Sequence, residues 1–571
     1  MLALALAALI RSAIAPADSG DGAAAPVAPA GIPLPAGLAD PSMSPDGRYA
    51  VAWEVVPAQQ HPVHIVESAP GDQLQPKLRT FEYLKPGDRI EERMPRLFRA
   101  DGTEVAIDRE SFSTPWSNDQ LRWAADGKSF TFLHNRRGHQ LLRLVSVDAA
   151  SGAVRTVMEE QSPTFVDYAH KTWMHWLSET ELLWMSERDG WNHLYLVDVA
   201  AGRISRRVTT GAWVVRAVES VDDDARTVTI RAMGIGAGQD PYHEHWLRIP
   251  IDGGDAVRLT RGDGTHRVEW SPGGRWYVDT WSRVDLPPVR ELRDGTDGSL
   301  VCELGPAEGA PPLPDGWTAP ERFVAKGRDG VTDIHGVIWR PRGTAGDPTP
   351  RPVVECVYAG PQGYFAPKEF GRDRGQRAMA DAGFIVVQAD GMGTNWRGKE
   401  FHDVCWKNLK DAGFADRIAW IRAAAATRPW MDLSRVGIYG GSAGGQSAMR
   451  ALIDHHDFYR VAVADCGCHD NRMDKIWWNE LWMGWPVDES YARSSNVVDA
   501  ARLRGRLMLV VGELDQNVDP ASTMQASAAL VRAGIEHELV VVPGAGHGAA
   551  ETPYGSRKRL EFLRRHLQEP R

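Results

Sequence analysis

Val436-Gly437-Ile438-Tyr439-Gly440-Gly441-Ser442-Ala443-Gly444-Gly445 constrains this 571-residue chain more tightly than any other stretch. A short apolar run ends in a glycine pair, presents one serine, and passes into Gln446-Ser447-Ala448-Met449-Arg450-Ala451-Leu452, which reads as helix. The pattern is G-x-S-x-G on a strand–turn–helix, the nucleophile elbow. Its glycines have a steric purpose. The bend needs strained backbone angles, and side chains on either flank would block the close approach of strand and helix. A serine on such a bend projects its Oγ above a sheet edge, with the N–H of Ala443 at the helix start, where an oxyanion would bind. A glycine-rich loop with an incidental serine shares the bare motif, so the surrounding chain decides.

A serine alone is a poor nucleophile, and the elbow requires an acid and a base further along, in the order Ser, Asp, His. Arg506-Leu507-Met508-Leu509-Val510-Val511-Gly512 reads as a buried parallel strand that runs into Glu513-Leu514-Asp515-Gln516-Asn517-Val518. An aspartate just past a strand's carboxyl end stands where an α/β sheet places its ligands. Glu538-Leu539-Val540-Val541-Val542-Pro543 reads as another strand, and Gly544-Ala545-Gly546-His547-Gly548 follows it. Singly, such loop residues are turn formers or solvated side chains. Three of them, each after a strand and in the right order, predict a triad of Ser442, Asp515 and His547.

The balance of 65 basic against 75 acidic residues gives a net charge of −10 without a basic block, which argues against nucleic acid as a partner. Five cysteines make no disulfide framework at this length. Cys466-Gly467-Cys468-His469-Asp470 lacks a second ligand cluster at metal-binding spacing and reads as structural, so neither a metal nor another cofactor is expected. Met1 to Ile10 is apolar, and Ala13-Ile14-Ala15 resembles a small-residue cleavage site, but Arg11 follows the apolar core instead of preceding it. The run is too short to span a bilayer. It reads as a damaged or mis-started export signal, placing the protein in the periplasm or outside the cell, or as a disordered tail on a cytoplasmic protein. Pro16 to Ala39 reads as a linker.

From Asp40 to about Leu300 short alternating strands recur with a turn signature: Ser44-Pro45-Asp46-Gly47, Trp123-Ala124-Ala125-Asp126-Gly127, Trp270-Ser271-Pro272-Gly273-Gly274, and a weaker Trp176-Leu177-Ser178-Glu179. Strand pairs close on 148–152 and 198–202. Repeats of about 40–50 residues with four strands each predict a β-propeller of about six blades. From about Asp315 the texture changes. Near-continuous apolar strands (336–341, 352–358, 384–390) alternate with helical patterns such as Asp411 to Ala425, the signature of a doubly wound parallel sheet. The expected division is 1–39 signal-like segment and linker, 40–314 propeller, and 315–571 α/β-hydrolase domain.

This arrangement resembles the prolyl oligopeptidase family of serine peptidases, and within it the dipeptidyl peptidase IV-like branch. Trp184-Met185-Ser186-Glu187-Arg188-Asp189-Gly190-Trp191-Asn192-His193-Leu194-Tyr195-Leu196 looks like that branch's propeller signature, and Tyr358-Ala359-Gly360-Pro361 is similar to its oxyanion-tyrosine loop. Asp390-Gly391-Met392-Gly393-Thr394 and Gly512 to Val518 match it too. The resemblance implies a serine peptidase acting on short peptides after Pro or Ala. Ser442 would be the nucleophile, His547 the general base and then acid, and Asp515 the residue orienting it. Tyr358 and the N–H of Ala443 would hold the oxyanion. Tyr358 also ends a strand of the same sheet, where a merely packed aromatic is the alternative. Asn517 would bind a substrate carbonyl. Ile476 to Gly484 is similar to the aromatic segment lining the specificity pocket, with Trp477 or Trp478 as the wall and Val518 closing its side.

Three departures stand out. Ala443 occupies a position where the branch often has tyrosine. The paired glutamates that capture a free amino terminus have no recognisable counterpart, since the neighbours of Glu159-Glu160 match a different propeller strand. The propeller is shorter at its amino end than the family's seven or eight blades. An esterase or acylaminoacyl-releasing hydrolase would use the same triad, and a vestigial hydrolase beside a binding propeller is the non-enzymatic alternative. The sequence leaves the oligomeric state open, a homodimer included.

Overall fold

Val353, Val354, Ile385, Val386, Ile438 and Leu509 are fully buried, which strand residues on alternating faces achieve only when both faces of their sheet are covered. In the computed structural model, which describes residues 32–307, 313 and 316–568, they lie in one eight-stranded sheet. Its strands are β1 (Glu321–Lys326), β2 (Asp333–Trp339), β3 (Arg351–Cys356), β4 (Ile385–Ala389), β5 (Met431–Gly441), β6 (Val461–Asp465), β7 (Arg506–Gly512) and β8 (Glu538–Val542). They lie in the order β1-β2-β4-β3-β5-β6-β7-β8. The β1–β2 and β2–β4 pairs are antiparallel and the rest parallel. Successive side chains go to opposite faces. Val353, Ile438, Leu507 and Leu509 pack with Trp420, Leu452 and Leu530 on one side. Val354, Tyr439, Met508 and Val510 pack with Phe562, Leu563 and Leu567 on the other.

Register aligns the carboxyl ends. Cys356 lies opposite Tyr439, Gly441 opposite Asp465, Asp465 opposite Val510, and Gly512 opposite Val542. The loops after β3, β5, β7 and β8 therefore open on the same edge, where such sheets hold ligands.

Before this sheet come four-stranded antiparallel sheets in sequence order, the blades of a propeller. Each predicted turn signature joins the first two strands of a blade. Ser44 to Gly47 links Ala39–Met43 to Tyr49–Val56, and Trp123 to Gly127 links Pro115–Trp123 to Ser129–Arg136. The serine and aspartate close the first turn through Ser44 Oγ to Asp46 Oδ1 at 2.7 Å, and Gly47 takes φ 72°, an angle open to glycine at little cost. The closing signatures 148–152 and 198–202 join third to fourth strands.

The number of blades differs from the sequence reading. Among the described residues there are five four-stranded sheets and not about six. Part of the length that periodicity assigned to a further blade forms a separate hairpin, Pro62–Glu67 with Lys77–Glu82, inserted between the second and third strands of the first sheet. Its alternation is that of a blade strand, but this arm leaves the sheet and reaches the hydrolase. Ser68 N–H donates to Glu513 Oε1 at 3.2 Å, and the Tyr83 hydroxyl bonds to Asp474 Oδ1 at 2.6 Å and to the Asn517 carbonyl at 2.7 Å.

The signal-like segment, the linker up to residue 31 and the 314/315 boundary lie outside the described residues. Among those described, no helix is long and apolar enough to cross a membrane. The predicted helix at Asp411 to Ala425 is present as Phe414–Ala426.

A buried ion pair joins the halves. Arg137 of the second blade meets Glu480 with Nε at 2.8 Å and Nη2 at 2.6 Å, and Glu480 also accepts the Gly87 N–H at 2.9 Å. Both side chains are almost fully covered. Removing one partner strands a buried charge, at a cost of about 3–5 kcal/mol, whereas replacing both by apolar residues is close to neutral. Arg137→Met is expected to lower the thermal midpoint markedly, and Arg137→Met with Glu480→Met to recover most of the loss. A single variant that melts with the wild type would show that the pair does not tie the halves together.

Candidate active site

Ser442 follows β5 directly and precedes helix α1 (Ala443–Asp454), with φ 59° and ψ −122°, outside the regions a side-chain-bearing residue adopts without strain. Neighbouring backbone enforces the bend. A Cβ on Gly440 or on Gly444 would stand 2.2 Å from the Val357 carbonyl oxygen, and one on Gly445 would stand 2.3 Å from that of Asp465. The Ser442 N–H donates to the Asp465 carbonyl at 2.9 Å.

Asp515 and His547 come to the same edge. Asp515 is fully buried, and its Oδ1 accepts the backbone N–H groups of Asn517 (2.9 Å) and Val518 (3.0 Å). Its Oδ2 lies 2.7 Å from His547 Nδ1. A carboxylate can only accept there, so Nδ1 carries a proton and the neutral ring keeps its lone pair on Nε2. That Nε2 is 3.9 Å from Cys466 Sγ. The Ser442 hydroxyl accepts from the Tyr358 phenol at 3.5 Å and makes no hydrogen bond to His547, a contact that in such sites commonly tightens only on the way to the transition state. Cys466, Asp515 and His547 offer ligand atoms all within 4.8 Å of one another. Two of those groups are already bonded together, and burial pushes the Cys466 thiol well above its usual range. Holding a metal would require the thiol to lose its proton against that burial.

A cavity of about 200 Å³ opens beside Ser442. Tyr358, Gln362, Ala443 and Asn517 line it from the sheet edge. Trp477, Trp478, Leu481 and Trp482 line it from helix α2 (Ile476–Met483). Both candidate tryptophans thus face the cavity. Trp477 is 53% exposed, while the Trp478 indole N–H donates to Gln362 Oε1 at 3.2 Å. Val518 differs from expectation. It is buried behind Asp515 and is not among the lining residues, because its backbone is turned to serve the carboxylate.

Sequence reasoning missed Gln362, His170 and Asp474. Gln362 was within reach, four residues after Tyr358 in the same loop. His170 comes from the propeller and could not be paired with the cavity by spacing. Its Nδ1 lies 2.8 Å from Asp167 Oδ1 and its ring stacks on Trp482. Burial alone would raise the Asp167 carboxyl, but His170 and the nearby cations hold it down at about 2. Glu159 is engaged by Arg143 at 2.7 Å, and Glu160 by Trp184 Nε1 (2.6 Å), Ser186 Oγ (2.7 Å) and Arg188. Neither lines the cavity. The carboxylate that does, Asp474, is taken by Tyr83, by Asn479 Nδ2 at 2.9 Å and by Lys475 Nζ at 3.1 Å.

Comparison with known proteins bears on both halves. Residues 372–570 match the model of the prolyl oligopeptidase family, and residues 42–288 match that of the dipeptidyl peptidase IV N-terminal region. The chain belongs to the prolyl oligopeptidase family, in its dipeptidyl peptidase IV-like branch. Among similar proteins, human dipeptidyl peptidase 8 is 27% identical over 382 residues, 63% of this chain and 42% of the relative. A probable dipeptidyl-aminopeptidase B of Chaetomium globosum is 25% identical over 523 residues, 84% of this chain and 54% of the relative. The chain spans about half the length of these curated relatives. The crystal structure of Porphyromonas gingivalis dipeptidyl peptidase 4 superposes with a TM-score of 0.76 at 21% identity, over 92% of this chain and 74% of that one. The propeller–hydrolase order of the prolyl oligopeptidase family is therefore the order found here.

Asp465, whose carbonyl holds the elbow, carries a cost. Its side chain is buried, Oδ1 has no hydrogen-bond partner, and burial pushes the carboxyl up to about 6 from 3.8. Below about pH 4 the group is neutral both folded and unfolded. As pH rises through 6 the folded state must ionise a carboxyl it disfavours, so about 3 kcal/mol of stability is lost across that window. Asp465→Asn is expected to be more stable than wild type at pH 7.5, the gap closing as the pH falls to 4, by thermal denaturation at both pH values. A difference independent of pH would refute this.

Proposed function

We propose that this chain is a serine peptidase that cleaves short peptides, after Pro or Ala, through an acyl-enzyme on Ser442. The observation that carries the reading is the Asp515–His547 bond of 2.7 Å at the sheet edge from which Ser442 projects. Membership of the prolyl oligopeptidase family and relatives named as dipeptidyl peptidases support a peptide substrate. The working parts divide as a propeller to residue 314 and a catalytic domain from 315.

Each group has a chemical task. His547 Nε2 takes the Ser442 hydroxyl proton as Oγ bonds to the substrate carbonyl carbon. The carbonyl oxygen becomes an oxyanion held by the Tyr358 O–H and the Ala443 N–H, donors that act most strongly on the charge that develops. His547 then protonates the departing amine as the C–N bond breaks. Water, deprotonated by the same nitrogen, releases the acyl group and returns the proton to Ser442. Asp515 holds His547 in the required tautomer. Asn517 binds a further substrate carbonyl. A slot walled by Trp477 and Trp478 suits a proline ring, which brings no amide N–H needing a partner. An esterase or acylaminoacyl-releasing hydrolase would share these steps, and relative rates on matched ester and peptide substrates separate the readings.

Ser442→Ala is expected to keep the fold and to lose covalent labelling by a fluorophosphonate. Peptidase kcat should fall below about a thousandth of wild type, and a higher residue of activity would refute the assignment.

The amino terminus of the substrate gives a second test. The glutamates at 159 and 160 are engaged elsewhere, and Asp474 is already neutralised by Lys475. A terminal ammonium therefore finds little compensation for its lost water. Acetylating a short X-Pro peptide is expected to change kcat/KM by less than about tenfold. A loss of several hundredfold would reveal an amine-binding carboxylate.

A further inference from the structure

Gln362 is hydrogen-bonded at both ends of its amide, to Trp478 Nε1 at 3.2 Å and to the Tyr358 hydroxyl at 3.2 Å. An indole nitrogen can only donate. Its partner must be the amide oxygen, which turns the NH2 group toward Tyr358. An NH2 group can also only donate, so the phenol oxygen is the acceptor in that bond. The phenol's own proton is then directed away from Gln362, toward Ser442 Oγ at 3.5 Å.

We propose that Gln362 is a positioning residue that aims the Tyr358 proton at the oxyanion. This rests on the reading of Tyr358 as an oxyanion donor given above. Two observations separate the role from simple packing. The Tyr358 ring is placed independently, packed on Phe365 at a centroid distance of 4.4 Å with the ring planes tilted by 33°, so Gln362 governs the direction of the proton and not the place of the ring. Room has also been left for this amide. A Cβ on Gly360 would stand 2.4 Å from Gln362 Oε1 and displace it. Accepting a hydrogen bond polarises the phenol O–H and makes it a stronger donor. A hydroxyl with a single preferred direction also avoids reorganisation when the charge appears.

The test is a set of steady-state measurements on an X-Pro amide substrate with Gln362→Met, Gln362→Glu, Tyr358→Phe and the double variants Gln362→Met/Tyr358→Phe and Gln362→Glu/Tyr358→Phe. Gln362→Met is expected to lower kcat about tenfold with KM within about twofold, because the contact acts on the transition state. Gln362→Glu should cost more, about a hundredfold. Its carboxylate accepts from both Trp478 and Tyr358 and so turns the phenol proton away from Ser442. In the Tyr358→Phe background, Gln362→Met should add less than about twofold. The glutamate penalty should shrink there to what its charge alone imposes. If Gln362→Met leaves kcat unchanged, or lowers it equally in both backgrounds, while Tyr358→Phe lowers kcat about a hundredfold or more, the oxyanion reading stands and this inference is overturned. If Tyr358→Phe itself stays within about threefold of wild type, the oxyanion reading fails first and takes this inference with it. Gln362→Glu, nearly isosteric, keeps the test valid should Gln362→Met fail to fold.

Discussion

The active edge is organised around one backbone oxygen, the carbonyl of Val357. The glycines on either side of the elbow both press against it, Gly440 from β5 and Gly444 from α1, closely enough that a methyl group on either would overlap it. The Val357 N–H donates in turn to the Tyr439 carbonyl at 2.9 Å. Strand, bend and helix are thus locked to the residue that follows β3, and the next residue in that loop is Tyr358. The distance between the strained serine and the phenol is set by main-chain contact, which side-chain motion cannot relax. The strain at Ser442 persists because this packing over-determines it.

The propeller contributes more than cover. Its inserted arm brings the Tyr83 hydroxyl to the Asn517 carbonyl and to Asp474, and its third-blade approach brings His170 against Trp482. The seam between the halves holds buried charges in pairs: Arg137 with Glu480, and Lys368 with Asp240 at 2.8 Å. Asn395 Nδ2 adds a neutral donor to Asp167 at 2.9 Å. Such pairs contribute little net stability against apolar packing, but each penalises any relative placement that leaves a charge without its partner. Helix α2, which carries the three cavity tryptophans, is held by the Arg137–Glu480 pair. The shape of the cavity beside Ser442 therefore depends on the propeller as much as on the hydrolase.

The misread features share a physical origin. The hairpin 62–82 has the same two-residue alternation as a blade strand, because alternation reports one buried face without saying what buries it. Val518 follows Asp515 in the loop after β7, yet its N–H is drawn to that carboxylate and its side chain goes inward. Glu159 and Glu160, which their neighbours in sequence had already set apart from an amine-binding pair, lie on a strand, where adjacent residues point to opposite faces. One meets Arg143, and the other meets Trp184, Ser186 and Arg188.

The sequence by itself determined the elbow, the placing of Ser442, Asp515 and His547 each after a strand of one sheet, and the succession of propeller and parallel sheet. Each rests on local chemistry: glycines where a bend excludes side chains, apolar runs for strands covered on both faces, Ser, Asp and His each placed after a strand. Tertiary structure alone decided which side chains meet across those elements. The amide of Gln362 between Tyr358 and Trp478, the histidine that a propeller blade brings to the cavity, and the fate of the hairpin arm join residues far apart in the chain. Contacts of that kind leave no local period, because their geometry is set by how whole sheets pack and not by the spacing of neighbours along the backbone.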